Sequence, residues 1–230
     1  MHSVAENLAV IDKRIRAACE RAGRNPDAVR LVGVTKTVPV ERIREGVQAG
    51  ISIVGENYIQ EARRKREALS ALPISWHFIG HLQSNKAKVA VEYCDWIQTL
   101  DRESLAQELD RQASRVGRRI TALVQINIGL EQTKSGIPPE ELFTFYKKVS
   151  DLEWIEIRGL MALPPFFDQP ERARPYFRQM RLLMDRLREE ARVPERLTEL
   201  SMGMSGDFEA AIEEGATMVR IGTALFGSRY

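Results

Sequence analysis

Cysteine is nearly absent. Cys19 and Cys94 are the two in a chain of 230 residues; they lack metal-type spacing and cannot build a disulfide framework. One falls in an amphipathic helical stretch and the other beside a strand, where each reads as a small core residue. Histidine is almost as scarce. His77 and His81 stand four apart, but they bracket a strand end and no cysteine or further histidine joins them, so no metal site is expected. Charge of one sign is missing too. With 34 basic and 32 acidic residues the net charge is +2, too little for a strong electrostatic footprint on nucleic acid or an anionic membrane. The run Arg63-Arg64-Lys65-Arg66 accordingly reads as a solvated helix face. No apolar run is long enough to span a membrane, and Met1 to Asn7 lacks the basic-then-apolar pattern of a secretory leader. The expected setting is the cytoplasm. No long exposed apolar stripe is evident, so a monomer is expected. No linker, low-complexity tract or shift of composition divides the chain, and residues 1–230 read as one domain.

What the chain does have is alternation. A first helix over 3–22 stops at Gly23 and the turn Asn25-Pro26. Apolar, strand-like segments then recur at 29–35, 51–55, 76–80, 96–99, 121–127, 155–161, 197–202 and 218–221. Helix-like stretches separate them. Pro39 and Pro138-Pro139 sit at helix starts. Asp101 reads as the N-cap of a helix that runs to Val116 and stops at Gly117. A long helix covers 171–192, and a short one runs from Asp207 to Gly215. Apolar strands alternating with helices mean a parallel sheet covered on both faces. Eight such units at this length predict an α/β fold, a single (β/α)8 TIM barrel with an extra N-terminal helix that plugs its bottom or packs on its side. An open doubly wound sheet is the alternative, and it usually has fewer strands.

In such a barrel the functional groups gather at the C-terminal strand ends. Those ends carry Lys36, Glu56-Asn57, His81, Asp101, Asn127, Met161, Ser205, Arg220 and Gly222-Thr223. Lys36 ends a buried run, where burial favours the neutral amine, a nucleophile that forms Schiff bases with carbonyl compounds; the plainer reading is that it caps the strand and snorkels outward. The turns Ser201-Met202-Gly203-Met204-Ser205-Gly206-Asp207 and Arg220-Ile221-Gly222-Thr223 lie where barrels of this kind bind phosphate, after strands seven and eight; alternatively, Ser205 or Asp207 merely caps a helix. An aldehyde for the lysine and a phosphate for the turns together describe pyridoxal 5′-phosphate, with Arg220 placed for the ring nitrogen. His81 lies beside the cofactor ring or bonds within its own turn. Lys86, Lys88 and Lys134 are rival lysines in polar, solvated-looking contexts.

The segments Val34-Thr35-Lys36-Thr37, Gly55-Glu56-Asn57-Tyr58-Ile59-Gln60-Glu61-Ala62, Trp76 to Lys86, Gly159-Leu160-Met161, Leu200 to Ser205 and Val219 to Thr223 resemble, in that order and from end to end, the pyridoxal phosphate homeostasis proteins, the YggS-like group. The resemblance implies a fold like the N-terminal barrel of bacterial alanine racemase, with the cofactor on Lys36. It also implies phosphate contacts from Ser205, Gly222 and Thr223, a ring-nitrogen contact from Arg220, and Asn57 nearby. His81 stands where some members carry proline. The implied role is management of the cofactor supply, with apo-enzymes as possible recipients, rather than turnover; an amino-acid racemase is the alternative. Racemisation needs an acid or base on each face of the substrate. In the racemases this chain resembles, a second domain or subunit supplies one, and none is expected here, where Tyr58 and Tyr230 are the in-chain candidates. No catalytic residue is therefore assigned.

Overall fold

Ser3 starts the first helix, α1 (Val4–Arg21), with a reciprocal cap: its hydroxyl accepts the Glu6 amide and the Glu6 carboxylate accepts the Ser3 amide. The computed structural model describes residues 3–227. After α1 come β1 (Arg30–Val34), α2 (Val40–Gln48), β2 (Ile53–Glu56), α3 (Ile59–Ala68), β3 (Ser75–Phe78), α4 (Ala87–Tyr93), β4 (Trp96–Leu100) and α5 (Glu103–Val116). The second half adds β5 (Ile120–Ile126), α6 (Leu142–Val149), β6 (Ile155–Ala162), α7 (Arg174–Glu190), β7 (Glu199–Ser201), α8 (Phe208–Glu213), β8 (Met218–Ile221) and α9 (Thr223–Phe226). The strands pair in chain order and close into a parallel barrel, with Arg30 opposite Met218 and Gly33 opposite Ile221 at the seam.

The main core lies between barrel and helices, where Phe78, Ile97, Leu105, Phe177 and Phe208 are fully buried; each contributes about 1.5–3 kcal/mol through burial. Of the two positions expected for α1, the structure shows the side. It buries Ile11, Ile15, Ala18 and Cys19 and packs on α2, α8 and α9, across the β8–β1 seam. Asn7 donates to the Leu225 carbonyl at 3.0 Å, and Arg14 pairs with Glu209 at 2.6 Å. Both cysteines are buried free thiols.

Two local expectations are corrected. Arg102, not Asp101, takes the N-cap position of α5, because the Asp101 carboxylate turns to the Arg102 guanidinium at 2.6 Å. The 63–66 run is not uniformly solvated: Lys65 is 1% exposed, sharing the buried stripe of α3 with Ile59 and Ala62. No helix among the described residues is long and apolar enough to cross a membrane.

Candidate functional site

A cleft of about 460 Å³ opens at the C-terminal end of the barrel. Lys36, Asn57, Ser205, Arg220, Gly222 and Thr223 all line it. Lys36 is half-buried, just past β1, in the turn that joins β1 to α2. The Val38 amide donates to the Thr35 carbonyl at 2.9 Å, and Thr37 takes a φ of 62°. A closing bond with positive φ at the third residue is the type II pattern, in which glycine or asparagine is usual at that position. Asn57 follows β2 and is held by a close approach: a Cβ at Gly80 would lie 2.1 Å from the Asn57 carbonyl oxygen, so only glycine fits there. The Asn57 Oδ1 is buried and has no hydrogen-bond partner among the described residues. Such an atom costs free energy unless a ligand or water meets it.

Across the cleft, the turn after β7 depends on Gly203, at φ +89°, where a Cβ would meet that of Ala211 at 2.6 Å. Its own bonds run from the Asp207 and Phe208 amides to the Met204 carbonyl and from the Met204 amide to the Asp207 carboxylate. The Ser205 and Gly206 amides take no part in them. Asp207 thus ties the loop and makes no side-chain cap to α8; burial, partly offset by the Met204 amide and Arg220, raises its pKa.

Arg220 is 3% exposed and rests on a neutral polar column that crosses the barrel interior. Its guanidinium donates to Ser201 Oγ at 2.6 Å and to the Ala162 carbonyl at 2.7 Å. Ser201 donates to Gln98 Oε1 at 2.7 Å, and Gln98 Nε2 meets His77 Nδ1 at 2.7 Å. The remaining ring nitrogen of His77 reaches Ser75 Oγ at 3.2 Å. With Gln98 Oε1 accepting from Ser201, the amide NH₂ donates to Nδ1, and the neutral imidazole carries its proton on Nε2. Burial, with a smaller effect from Arg30, pushes His77 down to about 3, and the ring stacks on Trp96 at 5.0 Å. Burial lowers Arg220 only to about 10, so it stays charged near neutral pH.

His81 is not part of the cleft lining. The Gly80 carbonyl accepts from Thr99 Oγ1 at 2.7 Å, the chain turns toward β4, and His81 meets Ser135 Oγ at 3.1 Å on the exposed rim. Asn127 likewise serves its own loop, through the Glu131 and Lys134 carbonyls. Tyr58 is 58% exposed and outside the lining, and Tyr230 lies outside the described residues. Lys134 does line the cleft, contrary to its solvated appearance in the sequence. The loop after β5 folds back so that Ile137 pairs with Ile126, and the Lys134 ammonium bonds the Pro164 carbonyl at 3.0 Å and Glu131 at 2.9 Å.

The family described as alanine racemase, N-terminal domain, matches residues 7–230. A pyridoxal phosphate homeostasis protein of Aquifex aeolicus (strain VF5) is 46% identical over 227 residues, 99% of each chain. This chain belongs to the pyridoxal phosphate homeostasis protein family. The family member from Pseudomonas aeruginosa PAO1 is 43% identical over 230 residues, 100% of this chain and 97% of its own. Among solved structures, PipY of Synechococcus elongatus PCC7942, determined with PLP bound, superposes with a TM-score of 0.86 at 40% identity, covering 98% of this chain and 100% of its own. Alanine racemase of Clostridium difficile 630 shares the fold, with a TM-score of 0.72 at 17% identity; this chain matches 57% of its length.

In this member of the homeostasis family the cleft brings the Lys36 amine, the Arg220 guanidinium and the turns after β7 and β8 together. Lys36, Lys134 and Arg220 line the cleft with Asp207 as the single carboxylate of the lining; with Lys134 paired to Glu131, the remaining balance still favours an anion. Phe166, 82% exposed, stands at the mouth beside Phe167. Neither phenylalanine carried a signal in the sequence, because both belong to a loop without periodicity.

Proposed function

We propose that the protein carries pyridoxal 5′-phosphate and regulates its availability in the cytoplasm without turning over a substrate of its own. The observation that carries this reading is the convergence on one cleft of an amine at Lys36, a fully buried guanidinium at Arg220 and an unpaired amide oxygen at Asn57. Relatives of like length bear the homeostasis name, and PipY was solved with PLP bound. The cofactor supplies a reactive aldehyde, which condenses with a lysine amine to a Schiff base with loss of one water. Lys36 is the attaching amine in this reading. Ser205, Gly222 and Thr223 receive the phosphate, and Arg220 meets the ring nitrogen. His81, expected beside the ring, lies on the rim against Ser135 and outside the lining.

Arg220 favours a carrier over a catalyst. A permanently charged donor keeps the ring nitrogen unprotonated, which weakens the ring as an electron sink. A two-base racemase also needs a proton donor or acceptor opposite Lys36, and among the described residues the in-chain candidate Tyr58 lies outside the lining; the open mouth suits apo-enzymes that would receive the cofactor. The test is the visible absorbance of the protein with added pyridoxal phosphate beside Lys36→Ala. A band in the wild type that is lost in the variant supports the assignment. A band that survives the substitution moves it to Lys86 or Lys134. Sustained interconversion of alanine enantiomers by the loaded protein would favour the racemase reading.

A further inference from the structure

One buried ammonium holds both peptide planes that flank Lys36. Lys65 donates to the Thr35 carbonyl at 2.6 Å, to Glu56 Oε1 at 2.8 Å and to Glu61 Oε2 at 2.8 Å, which uses all its protons. The same Glu61 oxygen accepts the Thr37 amide at 3.0 Å. The Thr35 carbonyl belongs to the plane before Lys36, and the Thr37 amide to the plane after it. Because peptide units are planar, their two orientations set φ and ψ of the residue between them. Holding both planes fixes the Cα–Cβ direction of Lys36.

The turn itself needs this hold. In the type II pattern the middle peptide is flipped relative to type I, and the flip leaves Thr37 at φ 62°, a conformation a β-branched residue resists. Without an acceptor on the flipped side the turn would relax toward type I and swing the lysine. Glu61 is that acceptor. The bonds from Lys65 and the Thr37 amide outweigh partial burial and hold its carboxyl below the usual range. The counter-charge, Glu56, is fully buried; one of its oxygens takes Lys65 and the Thr35 hydroxyl, and the other has no partner among the described residues. Packing alone does not call for such a cluster, since a hydrophobe of like size is often as stable as a buried ion pair.

We propose that Lys65, acting through Glu61 and the Thr35 carbonyl, is the positioning residue that aims the Lys36 amine into the cleft. The inference rests on the carrier reading, in which Lys36 is the attaching group. Two ligands separate aiming from general damage: pyridoxal 5′-phosphate, and pyridoxine 5′-phosphate, which keeps ring and phosphate but has an alcohol in place of the aldehyde. For Lys65→Met, the visible band on adding pyridoxal phosphate should form roughly 10- to 100-fold more slowly. Binding of pyridoxine phosphate should stay within about twofold, since its groups lie elsewhere in the cleft. In the cofactor-free protein, exchange of the Thr37 amide should quicken by roughly tenfold. Glu61→Ala, at a partly exposed side chain, should show the same split and decides the matter if Lys65→Met does not fold. Band formation at the wild-type rate, or equal weakening of both ligands, overturns the proposal while the carrier reading stands. A wild type that forms no band overturns both.

Discussion

Beneath Lys36 the protein buries ions; beneath Arg220 it buries a file of neutral groups. The first support is compact, with Lys65, Glu56 and Glu61 within 2.8 Å contacts. The second runs from Ser201 through Gln98 and His77 to Ser75. Each suits the group it supports. Arginine brings a rigid fork and a permanent charge, so dipoles that orient its plane are enough. Lysine is a flexible stem, and aiming it means holding the backbone at its root, which takes a strong, charge-assisted tie.

The contrast can be broken from either side. Glu56→Leu removes the fully buried one of the two carboxylates on Lys65 and should cost about 3 kcal/mol in urea unfolding, the scale of a broken buried ion pair. The double variant Lys65→Met/Glu56→Leu should recover most of that loss; no recovery would mean the cost lies in packing. Gln98→Leu cuts the neutral column and leaves Ser201 and His77 without partners, at about 1–3 kcal/mol in the same assay. A cost above about 3 kcal/mol would mean that the neutral column is as critical as the ion cluster.

A third effect depends on pH. An unfolded imidazole titrates near 6.5, whereas buried His77 is pushed down to about 3. As pH falls through that window the unfolded chain binds a proton that the barrel refuses, so this residue's effect on stability turns unfavourable by at most about 1.4 kcal/mol per pH unit. Unfolding of the wild type and His77→Gln at several pH values between 7 and 4 should show a shallower slope in the variant. The smallest effect belongs to Thr37→Gly. Glycine accepts positive φ and keeps the amide bond to Glu61, so stability should rise by less than about 1 kcal/mol once its extra unfolded-state freedom is counted. A fall would mean that the threonine side chain matters more than its backbone.

Much of the arrangement could be read before the structure. All eight strands lie within about two residues of their apolar runs, because parallel strands covered on both faces read as mostly apolar stretches. Lys36, Asn57, Ser205, Arg220, Gly222 and Thr223 meet because strand ends in a barrel share one rim. What could not be read depends on loops and on single positions. His81 is carried outward by the Gly80–Thr99 bond, and Lys134 inward by a loop that pairs with β5; neither path leaves a periodic trace. Lys65 did leave one. It falls on the stripe Ile59, Ala62, Leu69, four residues after Glu61, but three charged neighbours conceal the pattern. A lysine on an apolar stripe with a carboxylate one turn earlier is the signal to look for.

The side position of α1 has a consequence in time. Its partners Glu209 and Leu225 lie 195 and 218 residues later in the chain. At roughly 5–20 residues per second, synthesis takes on the order of 10–40 s to supply them. For that interval α1 has only α2 to pack on and leaves part of the face of Ile11, Ile15 and Cys19 uncovered, side chains that end up buried. The barrel's earliest segment is therefore among its last to dock, and the nascent chain carries an unsatisfied apolar face until β8 closes the seam.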